Sequence, residues 1–148
     1  MTVQEADAPS SPVELAQTHH EKSLVASPIY GFLLSKVQIL PTTTAGESIT
    51  TLVLESCHLN SKGSIHGSVS TTIVDWASGN ALATLGGHSG VSVDMHVSFL
   101  NSCREGEKVV IKSVIDKKGS RLAFVRVEMK RERDDAIIIT GLHTKFIG

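Results

Sequence analysis

From Gly63 to Val93 the chain runs for 31 residues with one Asp, Glu, Lys or Arg among them, Asp75. Within this stretch, His66 to about Leu85 reads as a helix of about five turns, closed by Gly86-Gly87. Its residues are mostly small or apolar, among them Val69, Ile73, Val74, Trp76, Ala77, Ala81, Leu82 and Ala83, and they do not keep to one stripe. Such a helix must be covered on most sides. The period then changes. Val91, Val93, Met95, Val97 and Phe99 alternate with Ser92, Asp94, His96 and Ser98, the pattern of a strand. Three more strands are expected near 107–116, 121–131 and 136–147, with turns at Lys117-Lys118-Gly119-Ser120 and Arg133-Asp134-Asp135.

The upstream part completes the arrangement. Residues 1–12 read as a frayed arm ending in Pro9-Ser10-Ser11-Pro12. A short helix is expected from Val13 to about Ala26, broken by Ser27-Pro28. Strands are expected from about Leu33 to Leu40 and from about Ser48 to Ser56. The order strand, strand, buried helix, four strands is α+β: an antiparallel sheet of about six strands wrapped around a central helix. This divides the chain into an arm, 1–29, and a domain, 30–148. The 15 Val, 11 Ile and 12 Thr, set against 6 aromatics, fit a sheet-rich aliphatic core.

Composition removes several classes of function. The 148 residues make one domain, and 14 Lys+Arg against 15 Asp+Glu leave a charge of -1, without the basic surplus of a nucleic-acid binder. With 41% hydrophobic residues the chain is not an acidic disordered one. No run of 18 apolar residues is present, so no membrane insertion is expected. The first 21 residues carry Glu5, Asp7, Glu14 and Glu21 and no Lys or Arg, the wrong sign for a secretory or transit peptide. Cys57 and Cys103 offer no C-x-x-C spacing and read as free thiols. A cytoplasmic location follows, with a mitochondrial one left open.

Asp75 is the residue that does not fit its surroundings. A carboxylate in so apolar a helix is costly unless it is hydrogen-bonded, paired or functional. The plain alternative is a structural carboxylate bonded to a neighbouring backbone group or hydroxyl, such as Thr71 or Ser78. A second feature lies just before the helix, in Asn60-Ser61-Lys62-Gly63-Ser64-Ile65-His66-Gly67. A glycine at a helix start exposes a backbone N–H where the helix dipole favours negative charge, and Asn60 adds an amide donor. Together these are the donors of an oxyanion hole, although such a stretch by itself is more often an ordinary loop and cap. Gly67 and Asp75 are 8 residues apart, roughly 12 Å along a helix axis. One chain therefore does not readily place both on one carbonyl, whereas two antiparallel copies across a two-fold axis do. A site that uses both implies at least a dimer.

The pattern Asn60…Gly63…His66-Gly67…Asp75, followed by Gly90-Val91-Ser92-Val93-Asp94-Met95, resembles the hotdog-fold acyl-CoA thioesterases of the PaaI-like branch. The similarity covers about residues 30–148, through Lys117-Lys118-Gly119-Ser120-Arg121-Leu122-Ala123-Phe124 to His143-Thr144-Lys145. It implies a hotdog fold and hydrolysis of fatty acyl-CoA to free fatty acid and coenzyme A. It implies Asp75 as general base or nucleophile, Gly67 N–H and Asn60 as the groups that polarise the carbonyl, Ser92 as an orienting hydroxyl, and His66 in support. Lys117, Lys118, Gly119, Ser120, Arg121 and Leu122 match a segment lining the coenzyme A channel, where the cations would meet phosphates. No cofactor is implied beyond coenzyme A as part of the substrate. The expected assembly is at least a homodimer, with dimers pairing into a tetramer. Ser68 stands where the family commonly has a second glycine, and the arm before residue 30 has no part in the match.

Other chemistries fit less well. Gly87-His88-Ser89-Gly90-Val91 nearly spells a serine nucleophile elbow, but its fifth position is Val91 and no strand-turn-helix surrounds it. The pairs His19-His20 and Cys57-His58 lack metal-ligand spacing, so no metal is expected. His96 and His143 read as ordinary sheet residues. A non-catalytic hotdog protein that binds acyl-CoA or serves as a scaffold is the alternative of a different class. The intact Asn60, Gly67, Asp75 and Ser92 set favours the enzyme.

Overall fold

The computed structural model describes residues 8–148, so the first seven residues of the expected arm lie outside it. Helix α1 spans Pro12–Ala26 and starts with a reciprocal cap. Ser11 Oγ accepts from the Glu14 N–H, and Glu14 Oε2 accepts from the Ser11 N–H at 2.7 Å. Helix α2 (Pro28–Leu34) follows at once, because Ser27, in an extended conformation, ends α1 while Pro28 supplies a preset first helical residue. Strands β1 (Gln38–Ile39) and β2 (Glu47–Val53) precede the long helix α3 (Gly67–Ala83). Then come β3 (Val91–Phe99), β4 (Lys108–Lys118), β5 (Leu122–Arg131) and β6 (Ile137–Phe146). All six strands form one antiparallel sheet in the order β1-β2-β4-β5-β6-β3.

Three expectations are corrected. The strand expected over Leu33 to Leu40 shrinks to the two residues of β1, because Leu33 and Leu34 close α2 and bury against the core. A short apolar run fits either element, and the proline start decides it. The next strand stops at Val53 rather than Ser56, since the Glu55 N–H turns to His58 Nδ1 at 2.8 Å and starts a short 3-10 turn, Ser56–His58. Lys117 and Lys118, expected in a turn, end β4.

Twelve of the 17 residues of α3 are buried, as a helix without a polar face requires. The sheet covers one side. Gly141 on β6 allows the close approach: a Cβ there would lie 2.8 Å from the Val74 methyls. Helix α1 covers another side, so the stretch before residue 30 contributes to the core. Asn80 Nδ2 donates to the Ala16 carbonyl at 2.9 Å, and the same amide accepts from Ser48 Oγ on β2 at 2.5 Å. Trp76 Nε1 donates to Ser23 Oγ at 3.3 Å, and His20 packs edge-on against the indole. Cys57 and Cys103 are unpaired, and no described helix is long and apolar enough to cross a membrane.

Candidate active site

Asp75 sits where α3 emerges from its cover, with 36% of its side chain exposed. Two hydroxyls donate to it and one cation stands near. Tyr30 Oη on α2 donates to Oδ2 at 2.7 Å, and Ser92 Oγ on β3 donates to Oδ1 at 3.2 Å. The ammonium of Lys145 on β6 stands 3.9 Å from Oδ1. The strands explain the convergence. Inward positions alternate along β6 and include Gly141, His143 and Lys145, and the register sets Ser92 beside Lys145 on the adjoining strand.

His143 completes the network, with Nε2 2.8 Å from Ser92 Oγ. Ser92 has one proton and gives it to the carboxylate, so it accepts from a protonated Nε2. The order of donation is therefore His143 to Ser92 to Asp75. Burial, and then the positive Lys145, hold His143 below the usual imidazole range, which keeps the ring neutral. Burial likewise lowers Lys145, against the pull of Asp75. It raises Tyr30 well above the phenol range, with the hydrogen bond to Asp75 adding to it. His19 is pushed down to about 4 by burial, then by Lys145 and His20. His19, Tyr30, Asp75, Gly79, Ser92 and Lys145 line a cleft of about 230 Å³, with His143 buried behind Ser92.

The hydroxyls that hold Asp75 are those of Tyr30 and Ser92, not of Thr71 or Ser78. Thr71 Oγ1 donates to the Gly67 carbonyl and Ser78 Oγ to the Val74 carbonyl, so neither reaches the carboxylate. His143, read as an ordinary sheet residue, belongs to the network instead. Tyr30 and Lys145 were also missed as site residues. The sequence carries one usable signal for the β6 pair: His143 and Lys145 alternate with Thr144, so a strand there puts two basic groups on one face. Nothing local marks Tyr30.

The other expected donors lie at the start of α3. Asn60 Oδ1 accepts from the N–H groups of Lys62 at 2.9 Å and Ser64 at 3.2 Å, closing the loop, while Nδ2 has no partner among the described residues. His66 caps the helix, with Nδ1 accepting from the Ser68 N–H at 3.1 Å. Val69 and Ser70 donate to the His66 carbonyl, and among the described residues the Gly67 N–H has no partner. Ser68 turns its hydroxyl to His66 Nδ1 at 2.7 Å and is exposed. Asn60, His66 and Gly67 thus gather at one end of α3, and Asp75 with Ser92 stands about two turns away.

Lys117, Lys118, Gly119, Ser120, Arg121 and Leu122 form the exposed β4–β5 hairpin, and none of its cations makes an ion pair among the described residues. Register places it at the sheet end that carries the carboxylate partners: Lys118 pairs with Ala123, Ala123 with Lys145, and Lys145 with Ser92. The Gly87–Val91 loop leads into a strand with no helix after it, so no nucleophile elbow forms. Among the described residues no three metal-ligating side chains cluster.

Comparison with known proteins adds four findings. The family model described as "Thioesterase superfamily" matches residues 62–138. Mouse acyl-coenzyme A thioesterase 13 is 34% identical over 137 residues, which cover 90% of this chain and 97% of that protein. The crystal structure of zebrafish thioesterase superfamily member 2 superposes with a TM-score of 0.83 at 31% identity, covering 94% of this chain and 99% of that one. The Escherichia coli PaaI protein shares the fold, with a TM-score of 0.77 at 16% identity over 93% of this chain and 97% of its own.

Proposed function

The chain belongs to the thioesterase superfamily, with the hotdog fold of its PaaI-like branch, and we propose that it hydrolyses fatty acyl-CoA to free fatty acid and coenzyme A. The observation that carries this reading is Asp75, the one charged residue of the buried helix α3, facing a cleft and held by oriented donors. The substrate class rests on the name of the 34% identical mouse relative.

In this reading Asp75 takes a proton from a water oriented by Ser92, or attacks the thioester carbonyl carbon itself. Either step puts a negative charge on the carbonyl oxygen, and the Gly67 N–H and Asn60 Nδ2 are the donors that receive it. His66 supports them by capping α3, which leaves the Gly67 N–H outside the helix's own bonding. The carbon–sulfur bond breaks, and the coenzyme A thiolate leaves and takes up a proton. If Asp75 attacked, water then opens the acyl-aspartyl intermediate. Lys117, Lys118 and Arg121 meet the phosphates of coenzyme A, with Gly119, Ser120 and Leu122 shaping the hairpin. The coenzyme enters as part of the substrate, and this chemistry calls for no further group.

The site is formed by two chains in this reading. Asp75 and Gly67 lie on one helix about two turns apart, so the oxyanion donors opposite Asp75 come from a partner copy. Strand β3 supports the pairing: it ends the sheet, hydrogen-bonds to β6 on one side only, and exposes Val91, Val93 and Phe99. A long apolar edge is a template for a second strand. Dimers pairing into tetramers are the expected further assembly.

Thiol release from a panel of acyl-CoA chain lengths tests the reading. The wild-type chain should release thiol from at least one fatty acyl-CoA, and Asp75→Asn should lose at least about 100-fold in kcat with the fold intact. Near-wild-type turnover by Asp75→Asn would overturn the mechanism. Saturable binding of acyl-CoA with no thiol release from any member would identify a binding protein instead.

A further inference from the structure

We propose that Tyr30 is a positioning residue for Asp75, which makes helix α2, ahead of the residues 62–138 that the family model matches, part of the catalytic unit; this rests on the reading of Asp75 as base or nucleophile. The geometry is a 2.7 Å hydrogen bond from the phenol to Oδ2, between residues 45 positions apart. Ser92 holds the other oxygen, Oδ1. An aspartate carboxyl rotates easily about its last torsion, where the rotamer wells are broad. Two donors from two different elements, one on each oxygen, fix that rotation. They occupy one lone-pair site on each oxygen and leave a second free for a water or a carbonyl carbon.

The support beneath Tyr30 is rigid on both sides. Next to it Gly31 packs against the end of α1, where a Cβ would come within 2.7 Å of the Leu24 carbonyl oxygen. At the far end of α2, His58 Nδ1 already accepts from the Glu55 N–H, so its Nε2–H donates to the Leu33 carbonyl at 2.7 Å. Leu33 and Leu34 are buried in the core. Helix α2 is thus clamped between α1 and the loop that leads to α3, and the phenol is delivered to one place. Burial and the carboxylate together keep that phenol protonated far above neutral pH, so it stays a donor throughout the working range.

A positioning role differs from a substrate contact in what it changes. Losing the phenol should leave the substrate bound and the carboxylate misaligned, and a small misplacement of a reacting group costs much of the rate. In Tyr30→Phe, which keeps the ring, kcat for the best acyl-CoA should fall about tenfold or more, with KM within about twofold and the chain still folded at the assay temperature. An unchanged kcat, or a loss confined to KM, would overturn the proposal.

A second measurement does not depend on activity. Tyr30 is the only tyrosine of the chain, so phenolate absorbance reports on it alone. In Asp75→Asn it should ionise at lower pH than in the wild type, and an identical titration in the two proteins would remove the contact and the proposal with it. Failure of the thioesterase reading looks different, since the wild-type chain would then release no thiol while the titration still judged the contact.

Discussion

Ser92 is the joint of the network around Asp75 because it has a single proton to give. It gives that proton to Asp75 Oδ1 at 3.2 Å and accepts from His143 Nε2 at 2.8 Å. Removing the hydroxyl leaves the carboxylate with one donor fewer and the ring N–H without its acceptor. We predict that Ser92→Ala lowers kcat by about 10- to 100-fold, with stability reduced by about 1 kcal/mol. Steady-state kinetics beside chemical denaturation separate the two effects, and a variant with full kcat would show that Ser92 merely fills space. Asp75 could be picked out of the sequence because charge is so scarce around it. Of its donors, Ser92 entered only through the family resemblance, and Tyr30, 45 positions away, not at all.

At the scale of elements, α3 is held between α1 and the sheet, and each contact gives a prediction. Asn80 bonds Ala16 and His19 through Nδ2 while accepting from Ser48, so His19 Nδ1 is an acceptor and the ring is neutral. Its folded value, pushed down to about 4 by burial, Lys145 and His20, lies below the ordinary 6.5. The unfolded chain therefore takes up this proton first as the pH falls. The stability His19 provides is full above pH 6.5 and is lost as the pH drops towards about 4. Denaturation midpoints measured across that window should fall with pH, and His19→Gln should flatten the slope. His20 and His143 are shifted the same way, so the slope should be reduced rather than abolished. On the sheet side, Gly141→Ala would put a Cβ 2.8 Å from the Val74 methyls. Because helix and strand must part to make room, the substitution should destabilise the chain by about 1–3 kcal/mol, read from the denaturation midpoint. A neutral effect would mean that Val74 moves aside freely.

For the whole molecule the question is where one site ends and the next begins. If Asp75 of one chain faces Gly67 and Asn60 of another, two inactive variants should rescue each other. Mixed and reassociated, Asp75→Asn and Asn60→Ala chains form hybrid dimers in which one site carries both defects and the other carries none. We predict thiol release from the mixture well above that of either variant alone. A site contained in one chain would give no rescue. Sedimentation should find the active species to be a dimer or larger, and an active monomer would contradict the shared site.

The pattern of the sequence was enough for the central helix and for β3 to β6, because burial of an uncharged helix and the two-residue period of strands are local properties of the chain. It was enough also for Asp75, whose isolation among apolar neighbours can be counted. Helix α2 was not legible, since a short apolar run around Leu33-Leu34 serves a helix or a strand equally until its packing is known. Nor was Tyr30 as a member of the site, because a hydrogen bond between distant positions leaves no mark on the residues beside either partner; His143 and Lys145 could be put on one strand face, but not against Asp75. Tertiary structure alone decided what surrounds the carboxylate: it depends on the angle at which α2 enters, the register of β6 against β3, and the depth at which α3 leaves its cover.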